Sequence, residues 1–355
     1  MRTIGWDEDR ECIRMVDQTK LPTEYTDYYA ETVDDLVESI KILRVRGAPA
    51  LGAAGAYGVA LASRTNDAEN AEALLAAVGD DAERIATARP TAVNLSRGVE
   101  EALDSARAAN TVAEIRSATL ETAEALADRD VERNKQIGEH GASILQEGDT
   151  VMTHCNAGAL ATVDWGTALG VVYSAHEGGN PVEVIANETR PLNQGSRITT
   201  VELMEHDVDT TLIPDNASGL AMQQGRVDAV VVGADRVVLD GGDTFGDQGV
   251  VFNKIGTYKH AVLADRHDIP FIVAAPVSTI DEDTSADDVE IEERDGDELR
   301  YIYGEQNAPE DVAVYNPAFD GTPMELVDFL VTENGAYQPP LDRTDVLGDL
   351  GVTRA

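Results

Sequence analysis

From about residue 148 onward the chain alternates short β-branched runs with helical segments, and this alternation constrains its fold more than any other feature. The runs are DTVMTH (149–154), PVEVIAN (181–187), VDTTLIP (208–214), VDAVVVGAD (227–235), IPFIVAAP (269–276) and DVAVYNP (311–317). Short apolar runs separated by helices predict a parallel sheet with right-handed crossovers and helices on both faces. Residues 1 to about 130 read differently, as a short β-like start followed by Ala- and Glu-rich helical stretches such as AENAEALLAAVGDDAERIATA. The expected class is α/β, with a smaller, mostly helical N-terminal domain carrying a short β portion over 1–130. A parallel-sheet domain is expected over 131–355, and two domains suit a length of 355 residues. The acidic stretch DEDTSADDVEIEERDGDE (281–298) reads as a solvated loop and β-ribbon.

The residues just past each run point to the site. The runs lead into His154-Cys155-Asn156, Asn187-Glu188-Thr189-Arg190, Pro214-Asp215-Asn216, Gly233-Ala234-Asp235-Arg236 and Asn316-Pro317. Ligands of open parallel sheets bind outside the carboxyl ends of the strands. Polar groups gathered at five of the six ends predict an active site there.

Charge narrows the partners. There are 27 basic and 66 acidic residues, a net charge of −39, and only five of the bases are Lys. A polyanion would be repelled, which excludes nucleic acid as a general partner and disfavours anionic membranes. Self-repulsion on this scale loosens a compact fold in dilute buffer, whereas the Debye length falls to about 3 Å near 1 M salt. The acidity therefore reads as a solvated surface adapted to a high-salt cytosol. Two cysteines, Cys12 and Cys155, make no disulfide framework, and MRTIGWDEDRECIR has no apolar signal region. The seventeen uncharged residues between Arg46 and Arg64 are mostly Gly and Ala, which predicts a closely packed buried helix and not a membrane span. The protein is expected to be soluble and cytoplasmic.

Several residues could carry chemistry. Cys155 precedes Ala-Gly-Ala-Leu-Ala, which reads as a helix start, and a helix N-terminus lowers a thiol's pKa. The alternative is a buried Cys acting as a small hydrophobe. Asp235 ends an apolar strand, where partial desolvation would raise its pKa toward general acid–base use. It could equally cap a helix or pair with Arg236. Arg46-Gly47-Ala48-Pro49 reads as a loop entering a helix, with Pro49 in the first turn and N–H groups that could face an anion. Neither GxGxxG nor a Walker loop is present. Scarce bases among abundant acids suggest a phosphate site, from Arg89, Arg190, Arg197 and Asn253-Lys254. No His-x-x-x-His or Cys-x-x-Cys spacing suggests a metal, and Asp240, Asp243 and Asp247 depart from a calcium-loop pattern.

The stretches RGAPALGAAGAYG, RPTAVNL, THCNAGALAT, ETRPLNQGSR, VVGADR, NKIGTY and NPAFDGTPMELVDFLVTENG, spanning residues 1 to about 338, together resemble the methylthioribose-1-phosphate isomerase family of methionine salvage. The resemblance implies a Rossmann-like second domain, a homodimer, and conversion of 5-methylthioribose 1-phosphate to 5-methylthioribulose 1-phosphate. It implies Cys155 and Asp235 as catalytic residues. Arg46, Gly47, Ala48, Arg89, Gln194, Asn253 and Lys254 are implied as contacts to the sugar phosphate. That chemistry calls for no nicotinamide, metal or other cofactor. Between Asp235 and Asn253 the chain is longer than the family's usual link, leaving room for a related ribose 1,5-bisphosphate isomerase. The same fold also serves non-catalytic regulatory subunits of a translation initiation factor's exchange complex.

Overall fold

The computed structural model describes residues 2–90, 92–246, 248–341 and 343–347. The chain divides into two compact units, one of Met1–Asn134 with Ala157–Gly166, the other of Lys135–Asn156 with Thr167–Ala355.

The first unit opens with a three-stranded antiparallel sheet of β1 (Ile4–Asp7), β2 (Cys12–Val16) and β3 (Asp27–Ala30). Helices α1 (Val33–Lys41), α2 (Ala48–Thr65), α3 (Ala71–Ala86), α4 (Val93–Ala108) and α5 (Val112–Ala142) come next, α5 passing into the second unit at Lys135. Thr32 and Asp35 form a reciprocal capping box that starts α1, and the Asn70 side chain caps α3. The uncharged 47–63 segment is α2, buried at every position from Ala50 to Ser63. Its glycines permit backbone contact. A Cβ on Gly55 would lie 2.5 Å from the Leu95 carbonyl oxygen, and one on Gly98 of α4 would lie 1.9 Å from that of Gly52. Among the described residues no helix is long and apolar enough to cross a membrane.

The second unit holds β4 (Thr150–Thr153), α6 (Ala168–Glu177), β5 (Glu183–Asn187), α7 (Thr200–Glu205), β6 (Thr210–Ile213), α8 (Ser218–Gln223) and β7 (Ala229–Val232). After these come β8 (Arg236–Asp240), α9 (Gly242–Phe245), β9 (Val250–Lys254), α10 (Thr257–Arg266), β10 (Phe271–Ala274) and β11 (Ile280–Ser285). A two-residue hairpin pairs β12 (Tyr301–Ile302) with β13 (Glu305–Gln306), and β14 (Phe319–Pro323), β15 (Phe329–Thr332) and β16 (Gly335–Tyr337) end the unit's strands.

The main sheet has the order β16-β15-β10-β7-β4-β5-β6, parallel throughout except for the edge strand β16. Strands β7 and β10 are buried at every residue, as a sheet covered on both faces requires. From β4 the chain winds outward through β5 and β6, then returns beside β4 as β7 and winds the other way through β10 and β15. The order reverses between β4 and β7, the place where such sheets open a crevice. A second, four-stranded sheet has the order β11-β8-β9-β14.

Two expectations need correction. DVAVYNP is not a strand: Val312 and Tyr315 are 42% and 79% exposed, and no neighbour among the described residues pairs with them. The outer parallel strand is instead β15, whose FLVT run lies against β10 in register Val273↔Leu330. Of the acidic 281–298 stretch, expected as loop and β-ribbon, the first residues form strand β11 beside β8. No helix starts after Cys155 either. The chain forms a single 3-10 turn at Ala159–Ala161, and α6 starts only at Ala168.

Candidate active site

Cys155 lies just past β4 in a left-handed conformation, φ +68°, and is half-buried. No helix starts directly behind it, so the expected helix N-terminus is absent there. The turn is held instead by side chains. The Cys155 N–H donates to Thr189 Oγ1 at 2.8 Å, and the Thr199 hydroxyl donates to the Cys155 carbonyl at 2.6 Å. Next door, Asn156 Nδ2 donates to Thr199 Oγ1 at 3.2 Å and to Oε1 of the fully buried Glu202 at 2.9 Å. Thr189 is itself fixed: Asp215 Oδ1 accepts its N–H at 2.8 Å, while Asp215 Oδ2 accepts that of Arg190 at 2.7 Å.

On the other flank of the thiol, His154 and His260 form a buried pair. His154 Nε2 lies 2.8 Å from the Ile255 carbonyl oxygen, and His260 Nε2 lies 3.2 Å from His154 Nδ1. A carbonyl only accepts, so His154 carries its hydrogen on Nε2 and its Nδ1 accepts from His260. Desolvation lowers the pKa of His154 to about 4 and pushes His260 well below the usual histidine range. Both rings are therefore neutral at pH 7. The pair ties the Cys155 turn to the Lys254–Gly256 loop, where Gly256, at φ +104°, leaves room for the His154 ring.

Asp235 leaves β7 and enters β8, not a helix, so neither a helix cap nor burial explains it. The residue is exposed, contrary to the expected desolvation. The long link after it is the β8–α9–β9 hairpin, with register Arg236↔Phe252 and Val238↔Val250. Asp235 N–H closes the hairpin onto the Phe252 carbonyl at 3.0 Å. Antiparallel pairing thus sets Asp235 beside Asn253 and Lys254 despite their separation in sequence. Asn253 is buried and donates to Thr257 Oγ1 at 3.0 Å. Lys254 Nζ donates to the Ala318 carbonyl at 2.9 Å and stands 4.5 Å from the centre of the Phe319 ring. Of the calcium-loop candidates, Asp240 ends β8, Asp243 lies in α9, and Asp247 is outside the described residues.

Gln194 is buried just before a π-helical turn, Gly195–Thr199, a distortion frequent at functional sites. Its side-chain oxygen and that of buried Asn193 have no hydrogen-bond partner among the described residues. Such acceptors suit hydroxyl donors. The other four sequence-predicted contacts belong to the first unit. Arg46 is half-buried, and Gly47 is the N-cap of α2 at φ +90°, with Ala48 and Pro49 in the first turn. A Cβ on Gly47 would lie 2.0 Å from the Ala161 carbonyl oxygen, so only glycine fits. Arg89 is half-buried in the turn between α3 and α4. Arg190, considered for phosphate, instead spends its guanidinium on the Pro191 and Glu298 carbonyls.

Sequence reasoning placed Thr189 and Asp215 among the polar strand ends without giving either a role, and it missed His260 and Asp320. Asp320 stands opposite Asn253 on β14 and accepts the Gly256 and Tyr258 N–H groups at 2.7 and 3.1 Å. Desolvation pushes its pKa up to about 6 against those hydrogen bonds. The signal in the sequence was its place in NPAFDGTP, but its partners lie some 62 to 64 residues away.

The profile of the Initiation factor 2 subunit family matches residues 44–339. A protein of Methanosarcina acetivorans, provisionally named a methylthioribose-1-phosphate isomerase, is 51% identical over 98% of this chain and 97% of its own. The crystal structure of 5-methylthioribose 1-phosphate isomerase from Pyrococcus horikoshii OT3 is 40% identical, with a TM-score of 0.89 over 96% of this chain and 93% of that one. A structure described as translation initiation factor eIF-2B, subunit delta, from A. fulgidus is 51% identical, with a TM-score of 0.90 over 98% of this chain and 99% of that one.

Proposed function

The chain belongs to the Initiation factor 2 subunit family, and from that premise we propose that it is an aldose–ketose isomerase converting 5-methylthioribose 1-phosphate to 5-methylthioribulose 1-phosphate. The observation that carries this reading is the position of a thiol and a carboxyl, Cys155 and Asp235, beyond the carboxyl ends of β4 and β7. These are the two strands between which the strand order of the Rossmann-like sheet reverses.

The chemistry suits that pair. Phosphate on the anomeric oxygen blocks ordinary hemiacetal opening, so an acid must protonate the ring oxygen as its bond to C1 breaks. Hydrogen then passes from C2 to C1, as a hydride or by way of a proton shuttle, while the C2 hydroxyl loses its proton and becomes the ketone. One proton is given and one taken, with no net oxidation. Asp235 serves as general acid–base at the ring oxygen or C2 hydroxyl, and Cys155 as its proton-handling partner. Lys254 and Asn253 contact the phosphorylated sugar, and Gln194 accepts from a hydroxyl.

The description of the A. fulgidus structure favours a second reading, a regulatory subunit whose function is its protein surface. Such a subunit needs neither group. Cys155→Ser and Asp235→Asn should each lower turnover by at least about a hundredfold, the scale of general acid–base effects. A chain that turns over no sugar phosphate is the outcome the regulatory reading expects, and near-normal activity of either variant removes that residue from the mechanism.

We further infer adaptation to high salt from the net charge of −39, and a cytoplasmic homodimer from the family resemblance. Raising KCl from about 0.2 M to about 3 M should raise its urea midpoint, because screening relieves carboxylate repulsion. A midpoint that falls over that range contradicts the halophilic reading.

A further inference from the structure

Thr189 occupies a conformation that its side chain rarely adopts, and we propose that it is a positioning residue for the Cys155 thiol, an inference resting on the reading that Cys155 acts in the isomerisation. Its φ is +63°, in the left-handed region where a β-branched residue is an outlier and Gly or Asn the usual occupant. It is fully buried, and every polar atom it has is engaged. Asp215 Oδ1 accepts its N–H at 2.8 Å, and its carbonyl accepts the Asn193 N–H at 2.8 Å. Its hydroxyl donates to the Asn187 carbonyl at 3.0 Å and accepts the Cys155 N–H at 2.8 Å.

Glycine would trace the same backbone without strain. What glycine lacks is the hydroxyl, and the hydroxyl is what reaches Cys155. Strain held in place by surrounding bonds next to a reacting group is the pattern expected of a functional constraint. Cys155 is itself left-handed, so its Cα–Cβ direction depends on both ends of its peptide being held. Thr199 holds the carbonyl and Thr189 holds the N–H. Losing the second clamp lets the turn rotate and moves the sulfur, without touching the groups assigned to the phosphate.

The test compares Thr189→Val, Thr189→Gly and Thr189→Ser with Cys155→Ser, measuring kcat and KM for the isomerisation. Gly keeps the backbone conformation available, so it reads the hydroxyl even where the Val variant fails to fold. Val and Gly should lower kcat about tenfold with KM within about threefold, and Ser should stay within about threefold of the parent, the scale of one hydrogen bond made good or lost. A kcat within about twofold of the parent for Thr189→Gly, beside an inactive Cys155→Ser, overturns the positioning role and leaves the isomerase reading standing. A Ser variant as impaired as Gly also overturns it, since the hydroxyl would then not be the operative group. Full activity in Cys155→Ser overturns the role of the thiol and this inference with it.

Discussion

The buried histidine pair makes an asymmetric prediction. His154 is 2% and His260 0% exposed, so whatever either ring leaves unpaired stays out of water. Replacing His154 by Leu strands two groups, the Ile255 carbonyl oxygen and the His260 Nε2–H. At about 1–3 kcal/mol for each stranded group, less about 1 kcal/mol for burying leucine in place of imidazole, the net cost is about 1–5 kcal/mol. Replacing His260 strands only His154 Nδ1. It also removes His260 Nδ1, which has no partner among the described residues, so the cost is about 0–2 kcal/mol. In the double variant only the Ile255 carbonyl is orphaned, and the double variant should therefore be more stable than His154→Leu alone. Urea unfolding at pH 7.5 in about 2 M KCl, run as a double-mutant cycle, reads all three values. Additive effects, or a His260 variant as costly as the His154 variant, would refute the assigned tautomers and the bond between the rings.

Acid should act on the same pair. Both histidines have depressed pKa values in the folded chain, so the stability they support is present above about pH 6.5 and is lost as pH falls toward about 4. Asp130 behaves oppositely. Desolvation raises it to about 6 although it accepts from the Val163 N–H at 2.8 Å and Asn134 Nδ2 at 3.1 Å. Its contribution is present below about pH 3.8 and lost as pH rises through about 6. Asp130→Asn should therefore gain about 1–3 kcal/mol on the parent between pH 4 and pH 8, read by urea unfolding, and a constant difference across that range would contradict the assignment.

How much of the molecule was legible depended on whether the deciding interaction was local. Strand β7 reads directly from VDAVVVGAD, because a strand buried on both faces must be apolar at every position. The buried helix α2 was legible for a similar reason, since Gly and Ala at that density leave backbone as the contacting surface. DVAVYNP and FLVT are alike in β-branched content, and only the neighbouring β10 decides between them. Ala157–Ala161 has helical composition, yet the chain passes into the first unit there and resumes as helix at Ala168. Cys155 and Asp235 could be singled out as residues ending apolar runs. Their surroundings could not be read. The Thr189 clamp reaches across 34 residues and the histidine pair across 106, and neither leaves a spacing pattern.

Substrate choice tests the isomerase assignment most directly. Purified protein in molar KCl, given 5-methylthioribose 1-phosphate and ribose 1,5-bisphosphate in parallel, should isomerise the methylthio sugar with the higher kcat/KM. Preference for the bisphosphate, or turnover of neither, would contradict it.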